Sequence, residues 1–174
     1  MYTGFFPIAS INDDLLWYRD LKKSTGAVRQ LQRTSSGTPL PSLTGTTTLS
    51  GLSDSDIQRG VLEELVYEKI IAQELSRVDP SQDWDQRVAR SIEGLLAGRD
   101  KAALQEATRG LYRLDINDFK KLALAPQIRE ELLREELALR AKDPEGWLEN
   151  AFQNANVTIY FLDYEWRDGQ LREH

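Results

Sequence analysis

Residues 56–78 read DIQRGVLEELVYEKIIAQELSRV, and this stretch decides the fold. Ile57, Val61, Leu62, Leu65, Val66, Ile70, Ile71, Leu75 and Val78 recur at helical spacing, yet they spread around most of the circumference rather than along one stripe. A helix apolar nearly all round must be covered by neighbours, so this one is expected at the centre of a helical domain. Ser53 and Asp56 offer caps for its start. Asp79-Pro80 ends it and is read as opening the next helix, with Pro80 at the first helical position.

Downstream, Trp84, Val88, Ile92, Leu95 and Leu96 make that third helix amphipathic, and Gly98 closes it. Asp100 caps a short helix over 101–108, with Gly110 as the residue after its end. Asp115-Ile116-Asn117-Asp118 has the spacing of a capping box. It precedes a long helix over 119–141, which Pro126 is expected to kink or break. Asp143-Pro144 stops that helix and starts another over 145–153. Upstream, Thr34–Ser55 holds 12 Ser or Thr among 22 residues, three Gly and two Pro, and reads as a mobile loop. Before it, Asn12-Asp13-Asp14 reads as a turn capping a first helix over 14–32.

Two β-rich stretches sit at opposite ends. Ile8–Ile11 follows Pro7 and reads as a short edge strand, and Val157–Glu165 (VTIYFLDYE) alternates apolar and polar residues. A lone strand leaves its backbone groups unsatisfied, so the two are expected to pair and tie the ends of the chain together. The polar residues 167–174 are expected to fray. The fold class predicted is mainly α: about six helices and a small two-stranded sheet, in one domain of 174 residues.

Composition narrows the function. Lys and Arg number 22 against 28 Asp and Glu, a net charge of -6, whereas nucleic-acid binders carry a basic footprint. There is no Cys, and the single His is residue 174. That excludes thiolate chemistry, Cys/His zinc sites and any triad needing an internal imidazole. No phosphate-binding glycine motif occurs, and Asp79, Asp83 and Asp85 lack the glycine and terminal Glu of a calcium loop. Glu63/Glu64, Glu130/Glu131 and Glu135/Glu136 alternate with Arg129, Arg134, Arg140 and Lys142, which reads as a solvated, ion-paired helix face. Residues 1–10 have neither a basic start nor a long apolar run, so they do not read as a signal peptide.

The order of these elements resembles the chaperone module of the SurA and PrsA type foldases. Ile8-Ala9-Ser10-Ile11-Asn12 is similar to the family's V-A-x-V-N-G opening, with Asp13 where Gly is usual. Val61–Val66 followed by Ile70–Gln73 resembles its central helix. LQEATRGLYRLDINDF (104–119) resembles its L-x-x-x-G-l-s-x-e-x-F segment. Trp147-Leu148 through Ala155–Ile159 resembles its closing helix and A-x-V-x-I strand. The similarity spans residues 5–166, with the Ser/Thr loop inserted. A parvulin isomerase domain would need on the order of a hundred residues and active-site His. Ala141-Lys142-Asp143-Pro144 leaves no room for one between the long helix and the closing one, and no His lies upstream of 174. The resemblance thus implies a non-enzymatic, SurA-like holding domain with no cofactor. Its partners would be unfolded or exported client polypeptides rather than nucleic acid. It also implies an extracytoplasmic setting, with a signal or membrane anchor outside this chain.

The residues proposed to line a client groove are aromatic: Trp17, Tyr18, Trp84, Tyr112, Trp147, Tyr164 and Trp166. Each ring suits a core position as well as a groove for unfolded chain. Tyr164 and Trp166, placed past the end of the expected sheet, are the ones expected to be exposed. An acidic rim would favour basic clients. The alternative kept beside this reading is a scaffold subunit whose groove holds one dedicated partner or the chain's own Ser/Thr loop.

Overall fold

The computed structural model describes residues 6–34 and 52–173. In chain order these form β1 (Pro7–Ile11), β2 (Asp14–Trp17), α1 (Tyr18–Thr34), α2 (Asp54–Val78), α3 (Trp84–Leu96), α4 (Lys101–Tyr112) and α5 (Ile116–Phe119). A π-helical turn over Lys120–Leu124 leads into α6 (Ala125–Leu139), then α7 (Pro144–Gln153), β3 (Val157–Ile159), β4 (Tyr164–Arg167) and β5 (Gln170–Glu173). The mainly helical class with a small terminal sheet is therefore the observed one.

α2 is the central element. It packs against α1, α6, α7, β1, β2 and β5. Its apolar residues divide between two cores, which explains their spread around the helix. Ile57, Val61, Leu62, Leu65, Val66 and Ile70 meet Ile8, Ala9, Ile11, Leu16 and Leu21. Ile71 and Leu75 meet Trp84, Val88, Ile92, Ile128, Leu132, Leu133, Leu137 and Leu148. The helix starts with a reciprocal box: the Ser53 hydroxyl accepts from Asp56 N–H, and the Asp56 carboxylate accepts from Ser53 N–H. Asp100, Asp115 and Asp143 cap α4, α5 and α7 more simply, each carboxylate accepting from the backbone N–H groups two and three residues on. Each such cap contributes about 1 kcal/mol.

The expected pairing of the chain ends is present. β1 and β3 run antiparallel, with Ala9 opposite Ile159, Ser10 opposite Thr158 and Ile11 opposite Val157. The sheet is larger than expected, because residues 14–17 form β2 on the other side of β1, giving the order β2-β1-β3. The first helix accordingly begins at Tyr18 instead of Asp14. Asn12 and Asp13 form a two-residue hairpin with φ of 46° and 77°, not a helix cap. Positive φ at both positions matches the right-handed twist of the flanking strands.

Several further expectations are corrected. Pro80 does not open α3. The Asp79 carboxylate accepts from the Ser81 N–H and hydroxyl, turning the chain, and α3 starts at Trp84 under an Asp83 cap. α4 runs through Gly110 to Tyr112, and Arg113 (φ 55°) takes the left-handed position after it. The disturbance expected at Pro126 takes the form of a widened turn between α5 and α6. There Ala125 N–H donates to Lys120 O, and the missing proline N–H falls in the first turn of α6. The strand expected over 157–165 breaks at Phe161, whose φ is 60°.

Residues 167–173 are not frayed. Asp168 (φ 52°) and Gly169 (φ 75°) turn β4 into β5, and Leu171 is buried in the first core. Of the expected mobile loop, residues 35–51 lie outside the described residues. Its end is ordered: Leu52 packs on the first core and Asp54 begins α2.

The two hairpin turns yield paired expectations. Asp13→Gly should raise stability by about 0.5–1 kcal/mol, since glycine adopts φ near 77° without a Cβ clash. Gly169→Ala should cost about 1–2 kcal/mol, because φ is 75° and the added Cβ would sit 3.4 Å from Phe152 Cβ. Urea unfolding of both variants checks the signs.

Candidate functional site

A groove of about 550 Å³ runs along one flank of α7, and another of about 660 Å³ along the opposite flank. The first is polar. Its deepest group is Glu74, only 3% exposed, which accepts from Trp147 Nε1 at 2.9 Å and Arg77 Nη1 at 2.5 Å. Both carboxylate oxygens are thus held within the protein, and Lys142 lies 4.0 Å over the Trp147 ring.

The second groove lies between α2, α6, α7 and the β4–β5 turn. Ile71, Tyr67, Leu148 and Phe152 form its apolar lining, while Glu64, Glu130, Arg134, Glu145, Glu149 and Asp168 supply its polar part. It continues along α2 and α6 into a further 350 Å³ that shares Glu64, Ile71, Glu130 and Arg134 and adds Glu68, Pro126 and Gln127. Its volume lies within the range of small-ligand and peptide-side-chain sites.

The C-terminal hairpin closes one end. Tyr67 Oη lies 3.1 Å from the Gly169 carbonyl and 3.2 Å from Glu63 Oε1, and shares its single proton between them. Leu171 N–H donates to the same Glu63 oxygen at 3.2 Å. Trp166 Nε1 donates to the Phe152 carbonyl at 3.1 Å. The Tyr67 ring meets Phe152 at 4.6 Å and the edge of Trp166 at 5.4 Å. Such aromatic pairs add about 0.5–1.5 kcal/mol each beyond the area they bury.

The electrostatics are asymmetric. Burial pushes the Glu64 carboxyl up to about 7, with further upward pushes from Glu130, Glu68 and Glu63. Glu68 is also raised by burial, although Arg129, paired with it, opposes the shift. The Tyr67 hydroxyl is pushed up by burial and by Glu63. Arg134 pairs with Glu130 at 2.8 Å and with Glu145. The solvated-face reading therefore holds for Glu131 and Glu135, which are exposed, but not for Glu64.

The seven aromatic candidates are not gathered in one place. Trp17 is half-buried on β2 opposite Pro7, and Tyr18 stacks on Phe6 at 4.8 Å. Trp84 is a core residue whose Nε1 donates to Asp79 O, with Arg87 over its ring. Tyr112 meets Phe119 at 5.2 Å, remote in sequence and in packing from α7. Trp147 lines the polar groove. Tyr164 and Trp166, expected past the sheet, stand in β4 and pack half-buried on the first core. Only Trp166 reaches the wall of the apolar groove, through Tyr67 and Phe152. Among the described residues the aromatic ring with greatest exposure is instead Phe161, 88% exposed. Of the residues that line this groove, sequence reasoning assigns Tyr67 and Phe152 no site role and reads Glu64 and Glu130 as part of a solvated face. Their one signal was Glu64 and Tyr67 lying among the apolar positions of the central helix.

Among the described residues, no group of three or more His, Cys, Asp or Glu is placed to hold a metal ion, and no helix is long and apolar enough to cross a membrane. No protein-family model, curated protein or solved structure matches the chain.

Glu64 gives a pH test. Its carboxyl holds its proton to about 7 when folded, against 4.5 when exposed. Between these values the folded state binds more protons, so stability falls as pH rises. The penalty is complete above pH 7 and absent below 4.5. Glu64→Gln should therefore stabilise the protein by roughly 1–2 kcal/mol at pH 8, with the gain shrinking to nothing at pH 4.5. Urea midpoints across that range read the effect, and a gain constant with pH would contradict it.

Proposed function

We propose that this protein is a chaperone-like, non-catalytic module that holds unfolded or extended polypeptide segments in the groove between α2, α6 and α7. The observation that carries the reading is the open, apolar-floored cleft of about 660 Å³ with a charged rim. Grooves of this kind take apolar side chains of a peptide while leaving its backbone near water, which permits broad tolerance of sequence. The resemblance to the SurA and PrsA type holding domains supports the same reading. It also supports an extracytoplasmic setting.

Suppression of aggregation of an unrelated unfolding protein, with no nucleotide added, tests this. The module should suppress aggregation at near-stoichiometric ratios. Gln153→Trp should abolish the effect, because Gln153 is exposed on the groove's edge and an indole there fills the cleft without entering the core. No suppression by the unaltered protein would contradict general holding. A stoichiometric complex with one partner, found by pull-down, would then identify a scaffold subunit using the same cleft.

A further inference from the structure

The apolar cleft carries an unbalanced charge. Five carboxylates, Glu64, Glu130, Glu145, Glu149 and Asp168, line it with one guanidinium, Arg134. Most of the surrounding acids are engaged. On α2, Glu63 accepts from Leu171 N–H and the Tyr67 hydroxyl, and Glu68 is paired with Arg129. On α6, Glu130 holds Arg134, which also takes Glu145 of α7. Glu149 accepts from Gln153, and Asp168 of the hairpin pairs with Arg172. Glu64 alone among these acids has neither an ion pair nor a hydrogen bond within the described residues.

We infer that the cleft selects apolar polypeptide segments bearing a Lys or Arg, whose cation seats between Glu64 and Glu130 while neighbouring side chains lie on Ile71, Leu148 and Phe152. This rests on the polypeptide-binding reading above. Lys and Arg suit the site because their aliphatic stems lie along apolar surface while the charged head reaches a polar group. The cation gives Glu64 the partner it lacks and relieves the repulsion it meets from Glu130 across the α2–α6 seam, Glu130 itself being held by Arg134. An anionic segment meets the opposite condition, because the one cation of the cleft is already shared by two carboxylates. A small cationic ligand without apolar flanks would leave the floor uncovered, so the occupant is a peptide segment.

Selection of this kind is linked to protons. Glu64 shares its surroundings with Glu63, Tyr67 and Glu68 of its own helix, Glu130, Glu131, Arg134 and Glu135 of α6, Glu145 and Glu149 of α7, and Asp168 of the hairpin. Seating a cation requires Glu64 to be ionised, so the preference should grow as pH rises through neutrality.

The experiment uses two fluorescein-labelled, end-blocked peptides of Leu and Phe, alike except for a central Lys or norleucine. Anisotropy is measured on the full chain and on Glu64→Gln at pH 8 and pH 5.5. The Lys peptide should bind the unaltered protein about fivefold more tightly at pH 8, the worth of one partly screened ion pair. The advantage should vanish at pH 5.5 and in Glu64→Gln at both pH values, with norleucine binding unchanged. Equal affinities for the unaltered protein, or a Lys advantage that survives Glu64→Gln, would overturn the selectivity while leaving the groove intact as a binding site. Binding of neither peptide would overturn the groove reading and the selectivity with it.

Discussion

The pairing of β1 with β3 is the constraint on which the rest of the structure depends. It joins segments about 150 residues apart, so forming it costs loop-closure entropy that no local contact repays, although that cost grows only slowly with length. Three features offset it. Ile8, Ala9 and Ile11 are almost wholly buried against α2. The ladder is extended at both ends, by Tyr160 N–H to Ile8 O at 2.7 Å and Asn12 N–H to Asn156 O at 2.9 Å. The Asn12 amide then fixes the corner, its oxygen accepting from Asn156 N–H and its nitrogen donating to Gln73 on α2. Asn12 therefore serves the hairpin, the sheet and the central helix together.

Closing the ends positions the cleft. β3 delivers the chain to β4 and β5, and their hairpin settles on α2 through Glu63 and Tyr67 and on α7 through Phe152. α7 in turn lies beside α6 because Asp143 caps it immediately after α6 ends. The result is a trough whose walls come from segments distant in the sequence. Glu64, without a partner among the described residues, is a feature that folding alone does not favour, since a desolvated carboxylate destabilises the native state at neutral pH. Such a cost, held in an open groove, fits a group whose partner arrives from outside.

Much of the frame was legible in the sequence. The central position of α2 followed from apolar residues on every side, because two cores on opposite flanks need that distribution. The joining of the ends followed from two strands for which the sequence showed no other partner, although β1 also pairs with β2. The caps at Asp100, Asp115 and Asp143 followed from residue type and position. The failures have physical causes. Asn and Asp suit helix caps and tight turns alike, so Asn12-Asp13-Asp14 read as a cap while the chain makes a hairpin. Asp168-Gly169 is a strong hairpin signal, but the polar residues around it hid the one buried side chain, Leu171. Pro126 predicts disturbance without specifying whether a helix breaks or widens. The site was least legible, because Glu64, Glu130 and Phe152 come together only through packing of three helices. Spacing shows that Glu64 lies among the apolar positions of α2; it does not show that α6 and α7 cover it.

The paired strands β1 and β3 and the central helix should form one cooperative unit, which native-state hydrogen exchange tests. Amides of Ala9, Asn12 and Tyr160 should exchange with the same opening free energy as the centre of α2 near Leu62 and Val66, that of global unfolding. Opening of the β1–β3 pairing several kcal/mol below that of α2 would contradict the account, because the helical frame would then stand without the closure of its ends.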